Sequence, residues 1–185
     1  MSKPPQPART SIFLIGMMGA GKSTVARLLA ASCGFESIDC DRELEHRAGI
    51  SIQNMFEFEG EAGFRLRESH LLDELTQRQH VVLATGGGAV LSSDNRQMLR
   101  SRGLVIYLQA SADEIARRTR ADASRPLLQV ADRETRIEDL LAERAPLYRQ
   151  TAHLIFRSAA ANPRRLVARL LANPQVAAVI GSKEA

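Results

Sequence analysis

The sequence predicts an α/β fold, a parallel sheet with helices on both faces. Two observations carry this. Short β-rich apolar runs alternate with helical stretches five times along the chain. The first run also feeds directly into a glycine loop that opens a helix, at "TSIFLIGMMGAGKST". At 185 residues, 44% hydrophobic and 25% charged, the chain suits one domain with a full core.

The elements follow in order. Residues 1–9, "MSKPPQPAR", read as a disordered, proline-rich tail. "TSIFLIG" (10–16) is a buried strand, and "KSTVARLLAASCG" (22–34) is a helix. That helix has Val25, Leu28, Leu29 and Ser32 at helical spacing, with Gly34 as its C-cap. "FESIDCD" (35–41) is a second strand ending in carboxylates. Helical stretches cover "DRELEHRAG" and "SIQNMFEFEGEAGFRLRESHLLDELTQR", punctuated by Ser51 and "EGEAG". "HVVLATGGG" (80–88) is a third strand meeting a second glycine loop, and "DNRQMLRSRG" is a helix closed by Gly103. "LVIYLQA" (104–110) is the fourth strand, followed by a helix whose Ser111 and Glu114 form a capping box. "RETRIEDLLAERAPLYRQTA" is helical, with Pro146 bending or breaking it. "HLIFRS" (153–158) is the fifth strand. "NPRRLVARLLA" is the last helix, capped by Asn162 with Pro163 at N1. The single domain then spans 10–173, and 174–185 is a C-terminal tail.

Composition narrows the function classes. Net charge is +4, carried almost wholly by arginine; Lys3, Lys22 and Lys183 are the only lysines. Arginine offers a planar fork to carboxylates and phosphates, although a solvated surface explains many of these residues equally well. Aromatics make up 4% and no basic stripe is visible, which argues against nucleic-acid binding. Cys33 and Cys40 form neither a disulfide framework nor a zinc pattern, which fits a reducing, cytoplasmic setting. No apolar run approaches the roughly 18 residues of a membrane span.

Gly16, Gly21, Lys22 and Ser23 fit G-x-x-x-x-G-K-[ST]. In such a loop, backbone N–H groups and a helix N-terminus face a phosphate chain. The lysine reaches the β- and γ-phosphates, and the serine hydroxyl serves Mg²⁺. The nucleotide would touch Gly19, Ala20, Gly21, Lys22, Ser23 and Thr24. The loop does not say what is phosphorylated.

Ligands of open parallel sheets bind beyond the carboxyl ends of the strands. Asp39 and Asp41 of "IDCD" lie there. As i and i+2 of an extended segment they share one side, and one could serve the metal while the other handles an acceptor hydroxyl. Either could instead cap the next helix. Thr85–Gly88, "TGGG", is either a plain turn or a surface where a ligand lies against backbone N–H groups. Arg65 and Glu68 stand one helical turn apart, as a surface pair or as a held fork for a carboxylate. Arg117, Arg118, Arg120 and Arg125 crowd a segment that is either a solvated helix or a lid excluding water at about 112–128.

Taken together, "GMMGAGKST", "DCD", "GFRLRE", "TGGG", "RPLL" and "ERAPLY" closely resemble the shikimate kinase family from about Thr10 to Leu171. The resemblance implies a P-loop NTPase fold, a nucleoside-monophosphate-kinase-like three-layer sandwich with a central five-stranded parallel sheet. It implies transfer of the ATP γ-phosphate to the 3-hydroxyl of shikimate, in chorismate and aromatic amino-acid biosynthesis, by a monomer. Ser23 would ligate Mg²⁺ and Asp39 would support its water shell. Asp41 would act as base, with Lys22 and Arg125 at the phosphates. Arg65 and Arg144 would clamp the carboxylate, Glu68 would brace the pocket, and Gly87 and Gly88 would offer backbone contacts. Arg118 would lie against adenine. One departure stands out: the loop before the final helix reads "RSAAANP", where many members carry an arginine. Rival readings are a gluconate kinase on the same fold and a catalytically silent P-loop domain.

Overall fold

The computed structural model describes residues 9–120, 126–158 and 162–183. The expected tail at 1–8, the lid residues 121–125 with Arg125, and the alanines at 159–161 lie outside the described residues. Five parallel strands run β1 (Ile12–Ile15), β2 (Glu36–Asp39), β3 (Val81–Ala84), β4 (Leu104–Gln109) and β5 (Leu154–Arg157). Their order in the sheet is β2-β3-β1-β4-β5. Ile12 of β1 is in register with Val82 of β3 on one side and Leu104 of β4 on the other. Chain order therefore switches direction at β1, the place where open parallel sheets leave a crevice for ligands.

The central strands are apolar throughout because both faces are covered; Ile12–Ile15 and Val81–Leu83 are fully buried. The surrounding helices are α1 (Lys22–Cys33), α2 (Cys40–Ala48), α3 (Ile52–Leu75), α4 (Ser93–Arg102), α5 (Ala112–Thr119), α6 (Arg133–Thr151), α7 (Pro163–Leu171) and α8 (Pro174–Gly181). Helix α1 packs on β2, β3 and α7, while α4 packs on α3, α6 and β4. Expected caps are present: Gly34 in the left-handed region closes α1, the Ser111/Glu114 capping box opens α5, and Asn162 opens α7; the expected punctuation also holds, since Ser51 caps α3 and Gly60 of "EGEAG" interrupts it with non-helical backbone.

Four expectations need correction. Helix α1 buries Val25, Ala26, Leu29 and Ala30, whereas Ser32 is exposed and bonds back to the Leu28 carbonyl. Pro146 does not break α6, which runs unbroken from Arg133 to Thr151. The segment 174–185 is not merely a tail, since Pro174–Gly181 form α8 with Asn173 as its cap. Val176 and Val179 of that helix are buried, and such burial stabilises by about 1.5–3 kcal/mol per side chain. Finally, Arg9 is not loose; its guanidinium lies 2.9 Å from the His153 ring.

His153 joins the edge of the sheet to this N-terminal approach. Its Nδ1 accepts from the Val105 N–H at 3.0 Å. Burial, with Arg9 and Arg100 nearby, pushes its pKa down from 6.5 to about 4. The native state therefore favours the neutral ring, and the contribution is full above the unfolded pKa near 6.5 and lost as pH falls toward 4. Denaturant melts of the wild type should lose stability more steeply across this window than those of His153→Asn, which keeps an acceptor without the titrating ring. Parallel curves would remove His153 from the acid response.

Candidate active site

The phosphate loop connects β1 to α1. Gly21, the residue before α1, has φ 89°, a left-handed conformation that side chains with a Cβ adopt at a cost. Lys22 is 8% exposed and curls back over the loop, donating from Nζ to the Gly16 carbonyl at 2.8 Å and the Met17 carbonyl at 3.0 Å. The outer side of the loop is clamped. Arg118 donates to the Gly19 carbonyl at 2.9 Å, to Ser158 Oγ at 3.2 Å and to the Ser158 carbonyl at 2.8 Å. Ser158 Oγ in turn donates to the Ala20 carbonyl at 2.6 Å. A trans peptide carries its C=O and N–H on opposite sides, so fixing the Ala20 carbonyl outward turns the Gly21 N–H away from the clamp.

Beyond the ends of β2 and β3 lies a cavity of about 350 Å³, whose lining includes Ser23, Asp39, Asp41, Arg65, Glu68 and Arg144. Asp39 ends β2 and caps α2, accepting from the Arg42 N–H at 3.2 Å. Asp41 is not in an extended segment as the i, i+2 argument assumed; it sits in the first turn of α2, because the helix begins at Cys40. Both carboxylates nonetheless line the cavity, delivered by a strand end and a helix start. Cys40 between them is buried, which pushes its thiol well above the usual range, and the surrounding carboxylates add to the effect. It is poorly suited to serve as a nucleophile.

Arg65 and Glu68 face the cavity from α3, joined at 2.7 Å. Glu68 is 2% exposed; burial pushes its carboxyl up, and Arg65 opposes that shift. The glycine loop after β3 lies directly on this pair. A Cβ on Gly86 would run into the Glu68 carboxylate and come within 2.9 Å of Asp41, and one on Gly88 would run into the Arg65 guanidinium. The glycines therefore mark a close approach of backbone to charged side chains. Arg144 enters from α6, 3% exposed, with Nε and Nη1 lacking any hydrogen-bond partner among the described residues. Met18, Ile52, Phe56 and Phe64 supply an apolar wall.

The structure thus brings Ser23, Asp39, Asp41, Arg65, Glu68, Gly87, Gly88 and Arg144 together. Arg118 stands apart, on the outer side of the phosphate loop. Of the "RPLL" segment, Leu127 lines the cavity and Leu128 is buried. Sequence reasoning missed Ser158, a lone serine at a strand end. It also missed the apolar wall, of which only the four-residue step from Ile52 to Phe56 left a signal, since Gly60 breaks the helical phase before Phe64.

A phosphate loop beside an arginine-lined cavity on a five-stranded parallel sheet defines a P-loop kinase of small molecules. Residues 18–174 match the family model for shikimate kinase. A shikimate kinase of Nitrosospira multiformis is 53% identical over 159 residues, 86% of this chain and 82% of the relative. A solved structure of shikimate kinase from Acinetobacter baumannii in complex with shikimate superposes with a TM-score of 0.87 at 46% identity, covering 88% of this chain and 91% of that one. Shikimate kinase from Aquifex aeolicus gives a TM-score of 0.77 at 32% identity, covering 94% and 98%. This chain belongs to the shikimate kinase family. Among its described residues no helix is long and apolar enough to cross a membrane.

The clamp yields a prediction. Ser158→Ala leaves the Ala20 carbonyl without its partner, worth about 0.5–1.5 kcal/mol. The KM for ATP should rise about three- to tenfold with kcat little changed. An unaltered ATP KM would show that the loop holds its shape without Ser158.

Proposed function

We propose that this chain transfers the γ-phosphate of ATP to the 3-hydroxyl of shikimate, giving shikimate 3-phosphate and ADP on the route to chorismate and the aromatic amino acids. The observation that carries the reading is Arg144, a buried guanidinium with two nitrogens unpartnered among the described residues, in one cavity with Arg65 and Asp41. Such a group favours an anion that brings its own acceptors, as a carboxylate does. Arg65, held by Glu68 and, at 3.1 Å, by Glu61, offers the second half of a clamp at little cost in side-chain freedom. The apolar wall suits the ring, and the glycine loop suits the hydroxyl groups.

The roles are those that the family motifs imply. Asp41 orients the acceptor hydroxyl and takes its proton. Lys22 turns from the loop carbonyls to the β- and γ-phosphates, and Arg125 neutralises charge that develops on the transferring group. The residues present suit Mg²⁺, a hard cation that takes few protein oxygens beside phosphate oxygens. Ser23 would hold it directly and Asp39 through water. When bound, Mg²⁺ neutralises and orients the phosphate oxygens. Held through both terminal nitrogens by backbone and Ser158, Arg118 presents its flat guanidinium face to adenine. The segment 112–128 closes as a lid and keeps water from competing with the acceptor. The working species is a cytoplasmic monomer whose partners are ATP and shikimate, with no nucleic acid or membrane.

ADP release from Mg·ATP should depend on shikimate. Release only with gluconate, or with neither acid, would overturn this reading. Arg144→Ala should raise the KM for shikimate about 100-fold or more, the scale expected when one partner of a buried charged pair is removed. The ATP KM should move little.

A further inference from the structure

Behind the cavity, helix α6 carries a second residue beside the clamp, one whose hydroxyl feels the Arg144 charge. Tyr148 lies four residues after Arg144 and hence on the same helix face. It is fully buried, and its ring stacks on Tyr107 of β4 with centroids 5.0 Å apart. Its hydroxyl donates to the carbonyl of Gly87 at 2.5 Å.

That bond fixes more than an oxygen. The Gly87–Gly88 peptide is trans and planar, so a carbonyl held toward α6 turns the Gly88 N–H the opposite way. Gly88 lies against the Arg65 guanidinium and lines the cavity. Among the described residues nothing accepts from its N–H. Glycine would otherwise leave this peptide free to rotate, since both flanking residues lack a Cβ. Burial also raises the Tyr148 pKa, so the phenol remains a donor throughout any working range.

We infer that Tyr148 is a positioning residue: by holding the Gly87 carbonyl it aims the Gly88 N–H into the cavity as a fixed donor to an oxygen of the acceptor substrate. Helix α6 thereby sets two acceptor contacts from one face, Arg144 by direct reach and Gly88 through the peptide that Tyr148 holds. The inference rests on the shikimate reading above.

Tyr148→Phe keeps the ring and its stack and removes only the hydroxyl. The KM for shikimate should rise about tenfold, the scale of one hydrogen bond, with the KM for ATP unchanged and kcat within about threefold. A variant that loses thermal stability but keeps its shikimate KM within about twofold makes the phenol structural and overturns the inference. Absence of shikimate-dependent ADP release in the wild type is a different failure, of the substrate reading, and takes this inference with it. A second measurement needs no variant. Glycines are consecutive only at 86–88, so combined ¹³C-carbonyl-glycine and ¹⁵N-glycine labelling selects the amides of Gly87 and Gly88 alone. Connection to Ala89 tells them apart. The Gly88 amide should move downfield on adding shikimate and exchange more slowly; an unmoved Gly88 signal overturns the inference.

Discussion

The site depends on a buried guanidinium left short of acceptors. Arg65 and Arg144 both face one cavity, and Glu68, at 2.7 Å from Arg65, is the buried carboxylate that answers them. A buried ion without hydrogen-bond partners costs several kcal/mol. Arg144 bears part of that cost through its unpartnered Nε and Nη1. Folding contributes enough elsewhere, in fully buried strands and capped helices, to hold the guanidinium there. The cost is recovered when an anionic ligand supplies the missing acceptors. The same pair explains the second glycine loop, since only residues without a Cβ let backbone lie against Glu68 and Arg65.

The sheet gathers the remaining parts. Its switch of direction at β1 puts the phosphate loop at the centre. The ends of β2 and β3 deliver Asp39 and the glycine loop on one side, and the end of β5 delivers Ser158 on the other. The phosphate loop is thus held from its outer face by the Arg118–Ser158 clamp, while its helix end borders the acceptor cavity through Ser23. In phosphoryl transfer the protein chiefly positions and neutralises, and this layout sets the phosphate loop and the cavity side by side.

Much of this was legible in the sequence. Alternating apolar runs and helical stretches gave all five strands, and the caps at Gly34, Ser111 and Asn162 were readable from residue type alone. Asp41 was placed correctly in the cavity on a wrong premise. The period-two argument assumed that β2 continued, whereas Asp39 ends the strand by capping a helix. Helix α8 was overlooked although Asn173–Pro174 repeats the Asn162–Pro163 signal eleven residues later. Arg144 could not be singled out by spacing, because one arginine on a polar helix looks like any other until the fold buries it. Ser158 is a similar case, since its hydroxyl matters only because the phosphate loop comes to rest against it.

Binding here turns on Arg144, whose Nε and Nη1 lack hydrogen-bond partners among the described residues. Calorimetric titration of the wild type with shikimate and with its methyl ester tests this, since the ester keeps the ring and hydroxyls, removes the negative charge and adds one methyl group. The ester should bind at least about 100-fold more weakly, the scale of a buried charged pair losing one partner. Comparable affinity for acid and ester would contradict it.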